Sequence, residues 1–410
     1  MYRTEMAEAR PKRLPLGILL AAGAISQIGD AMAMVALPWF VLQTTGSAAL
    51  TGLAGAVTVL PAFLAGIFGG VLVDRLGYRR SSILADVVSG LAIASIPLAS
   101  QTVGLSFWAL LSLIFLGSLL ALPHLTAGRS MLPELAALAG VRRERANAAF
   151  ESLQHLSFLI GPPLAGVLIA VLDAPGVLWI DAATFMVSAL LVAVAVPSLR
   201  ATQAPATWRY REELLAGLRF LRRDRLLMAI AASLAITNFL GNTLFTVVLP
   251  VYTTMVSGRA TDLGLMVAAE GAGALIGIAL YGAIGHRLQR RLVWIAGYLA
   301  FALMLWVITL TPPVPVVIAV LFVSGIVGGP LNPLSVTVRQ ERIPPELRGR
   351  VFSTFSAIAM VSSPFGIALA GLLTEQRGLP FTLLALASCY TIVSVGMLFV
   401  PALRELDARS

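Results

Sequence analysis

Apolar residues in this chain fall into long blocks separated by short polar stretches. Twelve blocks stand out, near residues 15–42, 50–72, 82–99, 104–126, 149–171, 176–197, 226–252, 263–284, 292–311, 315–338, 351–373 and 380–401. A helix crossing a hydrocarbon core needs about 20 mostly apolar residues, so each block predicts one transmembrane helix. Arg10, Lys12 and Arg13 precede the first block, as they would a signal peptide, but the block is too long for a signal's apolar region and is expected to remain as a span.

Composition agrees with this pattern: 58% of residues are apolar and 12% charged, which leaves little chain for a water-soluble domain. The charges that remain are sorted by side. The amino end, every second loop and the carboxyl end hold 27 of the 29 Lys and Arg, while the opposite loops hold only Arg259 and Arg377. Basic residues in short loops stay on the cytoplasmic side, so both termini are expected there. The formal charge of +9 follows from topology, and nucleic acid is not an expected partner, since no folded basic surface is predicted. Cys389 is the single cysteine, which rules out an intramolecular disulfide.

The sequence also repeats itself. At an offset of 212, "GDAMAMVALP" (29–38) falls on "GNTLFTVVLP" (241–250), and Gly70, Arg75, Leu76 and Arg79 fall on Gly282, Arg287, Leu288 and Arg291. At 205, "LAGVL" (164–168) meets "LAGLL" (369–373) and Arg145 meets Arg350. Six spans are used twice in the same orientation, a parallel repeat typical of transporters with a site near the bilayer midplane. The fold class expected is therefore an all-α membrane protein with twelve transmembrane helices in two pseudo-symmetric six-helix bundles, residues 1–197 and 226–410. They are joined by a cytoplasmic linker, 198–225, with seven Arg. In the linker Leu214, Leu218 and Leu221 share a helical face, as a helix on the membrane surface would have; a solvated basic tether is the alternative.

Between the second and third spans the chain reads "GVLVDRLGYRR" (70–80). Its Gly70, Asp74, Arg75, Gly77, Arg79 and Arg80 resemble the signature loop of the major facilitator superfamily; the second copy departs from it with His286 in place of Asp74. The resemblance implies a cytoplasmic gate at this loop, with Asp86 available to accept one of the arginines. "GPPLAG" (161–166) resembles the superfamily's exporter motif through Gly161, Pro162 and Gly166, with Ala165 and Ser157 replacing expected glycines. Small residues at such spacing also serve plain helix packing. "ERIPPELRGRV" (341–351) is similar to a loop in the branch holding macrolide efflux and enterobactin exporters. Together these imply export of a drug- or siderophore-like compound from a bacterial inner (plasma) membrane.

Within "ISQIGDAMAMVALPWF" (25–40), Asp30 interrupts the first span. A carboxylate at a helix centre costs roughly 2.5–3.5 kcal/mol on the insertion scale, so intramembrane acids mark function by default. A carboxyl that is dry in one state and wet in another takes up and releases a proton as access alternates. Asp30 is the first candidate for this proton-coupling role; hydrogen bonding to a neighbouring helix is the structural alternative. Ser26, Gln27 and Met34 lie a turn away on its face, and Asn238, Asn242, Phe245 and Thr246 are the matching cavity candidates of the seventh span. Glu270, in the eighth span among Gly271, Gly273 and Gly277, is a second proton or cation site, or a neutral group in a packed interface. Met34, Trp39, Phe158, Phe245 and Tyr252 are expected to provide an adaptable apolar lining. Glu151 and His155 read as a structural pair, Asp181 beside Trp179 as a wet interfacial residue, and His124, Arg129 and Arg339 as facing headgroups or the inner gate.

No cofactor or metal is expected: three separated histidines and one cysteine give no ligand spacing and no nucleophile with its base. Lys12 is the only lysine, so a phosphate-binding GxxxxGK[ST] loop is absent. The sequence thus predicts a secondary transporter, not an enzyme, with a small-molecule substrate, protons and membrane lipids as partners, working as a monomer and exporting by proton antiport. A proton-coupled uptake symporter of the same fold and a non-transporting membrane scaffold are the alternatives.

Overall fold

A computed structural model of the chain describes residues 13–61, 76–197, 210–344 and 347–407, and all their regular structure is helical. Helix α1 (Leu14–Thr45) has 32 residues, about 48 Å at the α-helical rise. Gly46, at a φ of 67° open to glycine, turns the chain into α2 (Ala48–Val59), whose N-cap Ser47 Oγ accepts from Leu50 N at 3.1 Å. Next come α3 (Tyr78–Thr102), α4 (Phe107–Leu119) and α5 (Ala121–Leu138), the last two forming one apolar span. Helix α6 runs over Arg143–Ala195 with a break at Asp173 (φ 61°, ψ 171°). Its 53 residues exceed twice the length one crossing requires, so the break separates two crossing lengths.

The basic segment contains α7 (Tyr210–Arg223). Leu221 on it is fully buried and Leu218 half-buried, while a Cβ at Gly217 would stand 2.7 Å from Arg350 O. This helix therefore lies against protein on its apolar side; the side chain of Leu214 and residues 198–209 fall outside the described set. Helix α8 (Arg225–Thr243) is N-capped by Asp224, which accepts from Leu226 N and Leu227 N at 2.9 and 3.0 Å. It continues through a π-helical turn, Leu244–Val248, into α9 (Leu249–Val256). The remaining helices are α10 (Ala260–Ile284), α11 (Arg290–Thr309), α12 (Val314–Gly328), α13 (Leu331–Arg342), α14 (Arg348–Val361), α15 (Ser363–Arg377) and α16 (Leu379–Phe399). Among the described residues, ten helices or helix pairs are long and apolar enough to cross a membrane.

Two compact units are distinguishable. The first comprises the described residues of Met1–Ala33, Leu64–Gly161 and Leu178–Ala206; the second, those of Met34–Phe63, Pro162–Val177 and Thr207–Ser410. The division cuts across α1 and α6. Physically, α2 and the middle of α6 are bound to helices from the second half of the sequence through glycines. A Cβ on Gly52 would stand 2.8 Å from Ile367 O, one on Gly371 2.6 Å from Ala48 O, and one on Gly166 2.8 Å from Ala260 O. Glu375 Oε2 also accepts from Ala48 N at 2.8 Å, a carboxylate on the positive end of α2.

The internal repeat is visible as repeated contacts, each inside its own unit. Arg129 lies over the Phe150 ring at 5.8 Å, and Arg339 over Phe355 at 4.4 Å. Ser157 Oγ donates to Ala24 O at 3.4 Å, and Ser362 Oγ to Ala235 O at 2.6 Å. Arg79 donates to the carbonyls of Val192 and Ala193 near the end of α6, and Arg291 to Leu398 O, at 2.8 Å, near the end of α16. In both copies a guanidinium thus neutralises the negative end of a helix.

Candidate functional site

Asp30 sits midway along α1 with its side chain exposed, as is Met34 a turn later. Exposed residues in the first half of the helix, Leu14, Gly17 and Ala21, mark a different face. Nine residues separate Ala21 from Asp30, two and a half turns at 3.6 residues per turn, so the carboxyl points away from that outer stripe. Asp30 makes no hydrogen bond or ion pair among the described residues. The helix wall around it is otherwise tight: Ser26 is fully buried, and a Cβ on Gly29 would stand 2.5 Å from Asp181 Oδ1.

Behind Asp30 the first unit holds three ionisable residues that local sequence reasoning set elsewhere. Asp181, expected at a wet interface beside Trp179, is 1% exposed and neither carboxyl oxygen has a hydrogen-bond partner. The break at Asp173 sets where the second length of α6 begins, and Asp181 lies two turns into it, at α1. Asp86, expected to accept a gate arginine, is fully buried in α3 with Oδ1 2.8 Å from His124 Nδ1. Arg79 is engaged with α6 carbonyls instead, about two turns earlier on α3. His124, expected to face headgroups or the inner gate, pairs with Asp86 inside the first unit, and Ser82 Oγ is 3.4 Å from the same Nδ1. Asp30 feels the charges of His124 and Asp86, and Asp181 feels that of Asp30, so the four form one electrostatic cluster. Gln27 joins them: with Ser82, His124 and Ser188 it lines a cavity of about 10 Å³, room for one water molecule.

The repeat contained the signal that would have found the cluster. The positions corresponding to Asp86, His124 and Asp181 are Tyr298, Leu334 and Leu386, all buried. The fold fills these places with uncharged side chains in its second copy, so the charges in the first are not required by packing.

The second unit holds a cavity of about 550 Å³, within the range of small-molecule sites. Asn238, Glu270, Tyr298, Phe301, Arg339 and Tyr390 are among its walls. Phe301 and Tyr390 stack at 4.6 Å between centroids, with Tyr298 6.4 Å from Tyr390. Asn238 Nδ2 donates to Ala359 O at 2.8 Å, which fixes its amide at the wall. Glu270 is half-buried, with no hydrogen bond or ion pair among the described residues. Arg339 is stacked on Phe352 and Phe355 and donates to Ser335 O at 3.1 Å, so its charge is spread over ring faces.

The other expected lining residues divide. Asn242 Nδ2 donates to Ser363 Oγ at 2.7 Å, Phe245 sits half-buried in the π turn, and the Thr246 methyl abuts Gly55. Trp39 and Tyr252 are buried in packing, the Tyr252 hydroxyl donating to Pro312 O, because their bulk fills gaps between helices. Phe158 is 54% exposed. Glu151 pairs with Arg129 at 2.9 Å instead of with His155. Of the signature loop, Gly70, Asp74 and Arg75 lie outside the described residues; Gly77 begins α3 at a φ of 80° and Arg80 is exposed. The exporter motif is a contact surface: a Cβ on Gly161 would press on Ala31, and one on Gly264 would stand 2.5 Å from Pro162 O.

Comparison with known proteins places this geometry. Residues 19–259 and 232–409 match the Major Facilitator Superfamily. The multidrug efflux pump Tap of Mycobacterium tuberculosis (strain ATCC 25618 / H37Rv) is 35% identical over 402 residues, 96% of this chain and 95% of that protein. Macrolide efflux protein A of Streptococcus pyogenes is 24% identical over 97% of this chain and 98% of that protein. A crystal structure of a mutant of the nucleoside transporter NupG shares the fold, with a TM-score of 0.79 at 14% identity, covering 94% of this chain and 99% of the other. The apolar helices, the repeated contacts and the match over both halves agree: the chain is a multi-pass integral membrane protein and belongs to the Major Facilitator Superfamily.

Proposed function

We propose that this protein exports a small hydrophobic or amphipathic compound of the drug or siderophore class by proton antiport, with alternating access. In this reading the chain crosses the membrane twelve times with both termini in the cytoplasm, and residues 1–197 and 226–410 move as the two halves of the transport cycle. The observation that carries it is Asp30: an unpaired, exposed carboxyl in the middle of a long apolar helix, pointing away from that helix's outer stripe. Similarity to two efflux proteins over nearly the whole length supports export over uptake. The second-unit cavity supplies the compound's site, with stacked rings for an apolar body and Glu270 as a second proton or cation site. Gly77, Arg79 and Arg80, with Gly70, Asp74 and Arg75, are assigned to the cytoplasmic gate.

The test uses inverted membrane vesicles containing the protein, an imposed pH gradient, and a panel of macrolides, tetracyclines and siderophores. Accumulation that releases protons from the vesicle lumen, and that falls at least tenfold in Asp30→Asn, is the expected result. Accumulation only in right-side-out vesicles would make the protein a symporter. Absence of movement in either orientation across the panel, with an unchanged cellular phenotype in Asp30→Asn, would favour a scaffold.

A further inference from the structure

We infer that His124 and Asp86 form an inner proton station, connected to Asp30 through the small polar cavity beside Gln27. The inference rests on the proton-antiport reading and assigns to it two residues and a path.

Gln27, one turn before Asp30, shares the one-water cavity with Ser82, Ser188 and His124. Gln27 Oε1 and Ser188 Oγ are buried and have no protein partner, so a water between them meets the acceptors it needs. Asp86 Oδ1 contacts the imidazole at Nδ1, 2.8 Å away, its one ionic contact among the described residues. The charged groups acting on His124 are Asp86 from α3 and Asp30 from α1, and Asp181 from the second length of α6 acts on Asp30 in turn. Arg129 on α5 is occupied by Glu151 of α6, and Arg79 on α3 by α6 carbonyls. His124 is therefore the one group in the cluster, among the described residues, that becomes a cation by taking a proton, with the Asp86 carboxyl in contact and the charge of Asp30 acting on it. The repeat argues against a packing role, since Tyr298, Leu334 and Leu386 fill the same three places without charge.

The step is a proton transfer without electron exchange. The O–H bond of protonated Asp30 breaks, water in the cavity carries the proton, and an N–H bond forms on the imidazole nitrogen turned away from Asp86. Asp30 is left as a carboxylate, and the imidazolium is held by the Asp86 carboxylate. Release runs through the same N–H bond in the other access state, and regenerates neutral His124.

The experiment compares His124→Gln, Asp86→Asn and Ser188→Val with wild type in proteoliposomes, using a macrolide or other panel compound that wild type transports. Three readouts are taken: equilibrium binding of the compound, counterflow exchange without a pH gradient, and uptake driven by a pH gradient. The expected result is binding within about twofold of wild type and preserved counterflow, with gradient-driven uptake reduced at least tenfold and its pH profile flattened in His124→Gln. Ser188→Val leaves both titratable groups in place and narrows the cavity; it is expected to slow only gradient-driven uptake. Loss of binding, counterflow and driven uptake together would mean that these residues merely hold the bundle, and would overturn the station. Should the two charge variants not fold, normal driven uptake by Ser188→Val alone overturns it. The parent reading fails separately, when wild-type transport proves indifferent to the pH gradient; the station alone fails when wild type is proton-coupled and all three variants keep its pH profile.

Discussion

At Gly29 there is no room for a side chain, because Asp181 Oδ1 and Thr184 lie where a Cβ would go. Overpacking a close helix contact costs about 1–3 kcal/mol, so Gly29→Val is expected to lower the thermal unfolding midpoint in detergent. Gly17→Val on the same helix, where a Cβ would meet nothing within 4 Å, is expected to leave it unchanged. Equal midpoints would mean that α1 and α6 do not approach at Gly29 in the membrane. Glu270 is the other residue with a chemistry of its own: a carboxyl without a partner among the described residues, opening on stacked Phe301 and Tyr390. Replacing it by Gln removes the charge and keeps the shape. A cationic aromatic dye is expected to bind Glu270→Gln about tenfold more weakly, equivalent to about 1.4 kcal/mol, while a neutral compound binds as before; fluorescence titration separates the two. Equal loss for both would make Glu270 a structural part of the cavity.

Helix contacts explain which parts of this architecture can be read from sequence. Ten spans among the described residues were legible because lipid demands long apolar runs, and the repeat was legible because the same contact residues recur: Arg129 with Phe150 and Arg339 with Phe355, Ser157 with Ala24 and Ser362 with Ala235. Asp30 was legible for the opposite reason, as a charge inside a run that otherwise excludes it. The cluster behind it was not, because depth depends on where a helix bends. Asp181 follows Trp179 in sequence and so resembled an interfacial residue, yet the break at Asp173 carries it to α1. Asp86 resembled a partner for one of the loop arginines, but it contacts His124, and Arg79 reaches the carbonyls of α6. The glycine contacts carry a prediction at this scale. Gly166 with Gly264, and Gly52 with Gly371, bring segments from the two halves of the sequence to backbone distance, and alternating access requires such contacts to part in one state. Gly264→Leu prevents their re-forming. It is expected to slow transport at least tenfold while leaving the protein folded, and to raise the labelling rate of a cysteine introduced by Ala260→Cys in a Cys389→Ser background. Unchanged labelling would mean that this contact does not open and close.

For the molecule as a whole, proton antiport makes a prediction that does not depend on any single side chain. A unit charge crossing 100 mV gains about 2.3 kcal/mol, and tenfold accumulation requires about 1.4 kcal/mol. If one proton enters for each neutral molecule expelled, the cycle moves one net charge, and about 60 mV of membrane potential supports a tenfold gradient on top of that supported by the pH difference. If the compound is a monocation exchanged for one proton, no net charge moves, and only the pH difference drives accumulation. Inverted vesicles with potassium and valinomycin set the two forces independently. The accumulation ratio of a neutral compound is expected to rise about tenfold for each 60 mV imposed at constant pH, and that of a monocation to stay level. A monocation that also responds to voltage requires more than one proton per cycle, a result the four-membered cluster of Asp30, Asp86, His124 and Asp181 has the capacity to accommodate. A neutral compound indifferent to voltage, in a wild type that responds to the pH difference, means that another charge accompanies the cycle and that one-for-one exchange is the wrong scheme.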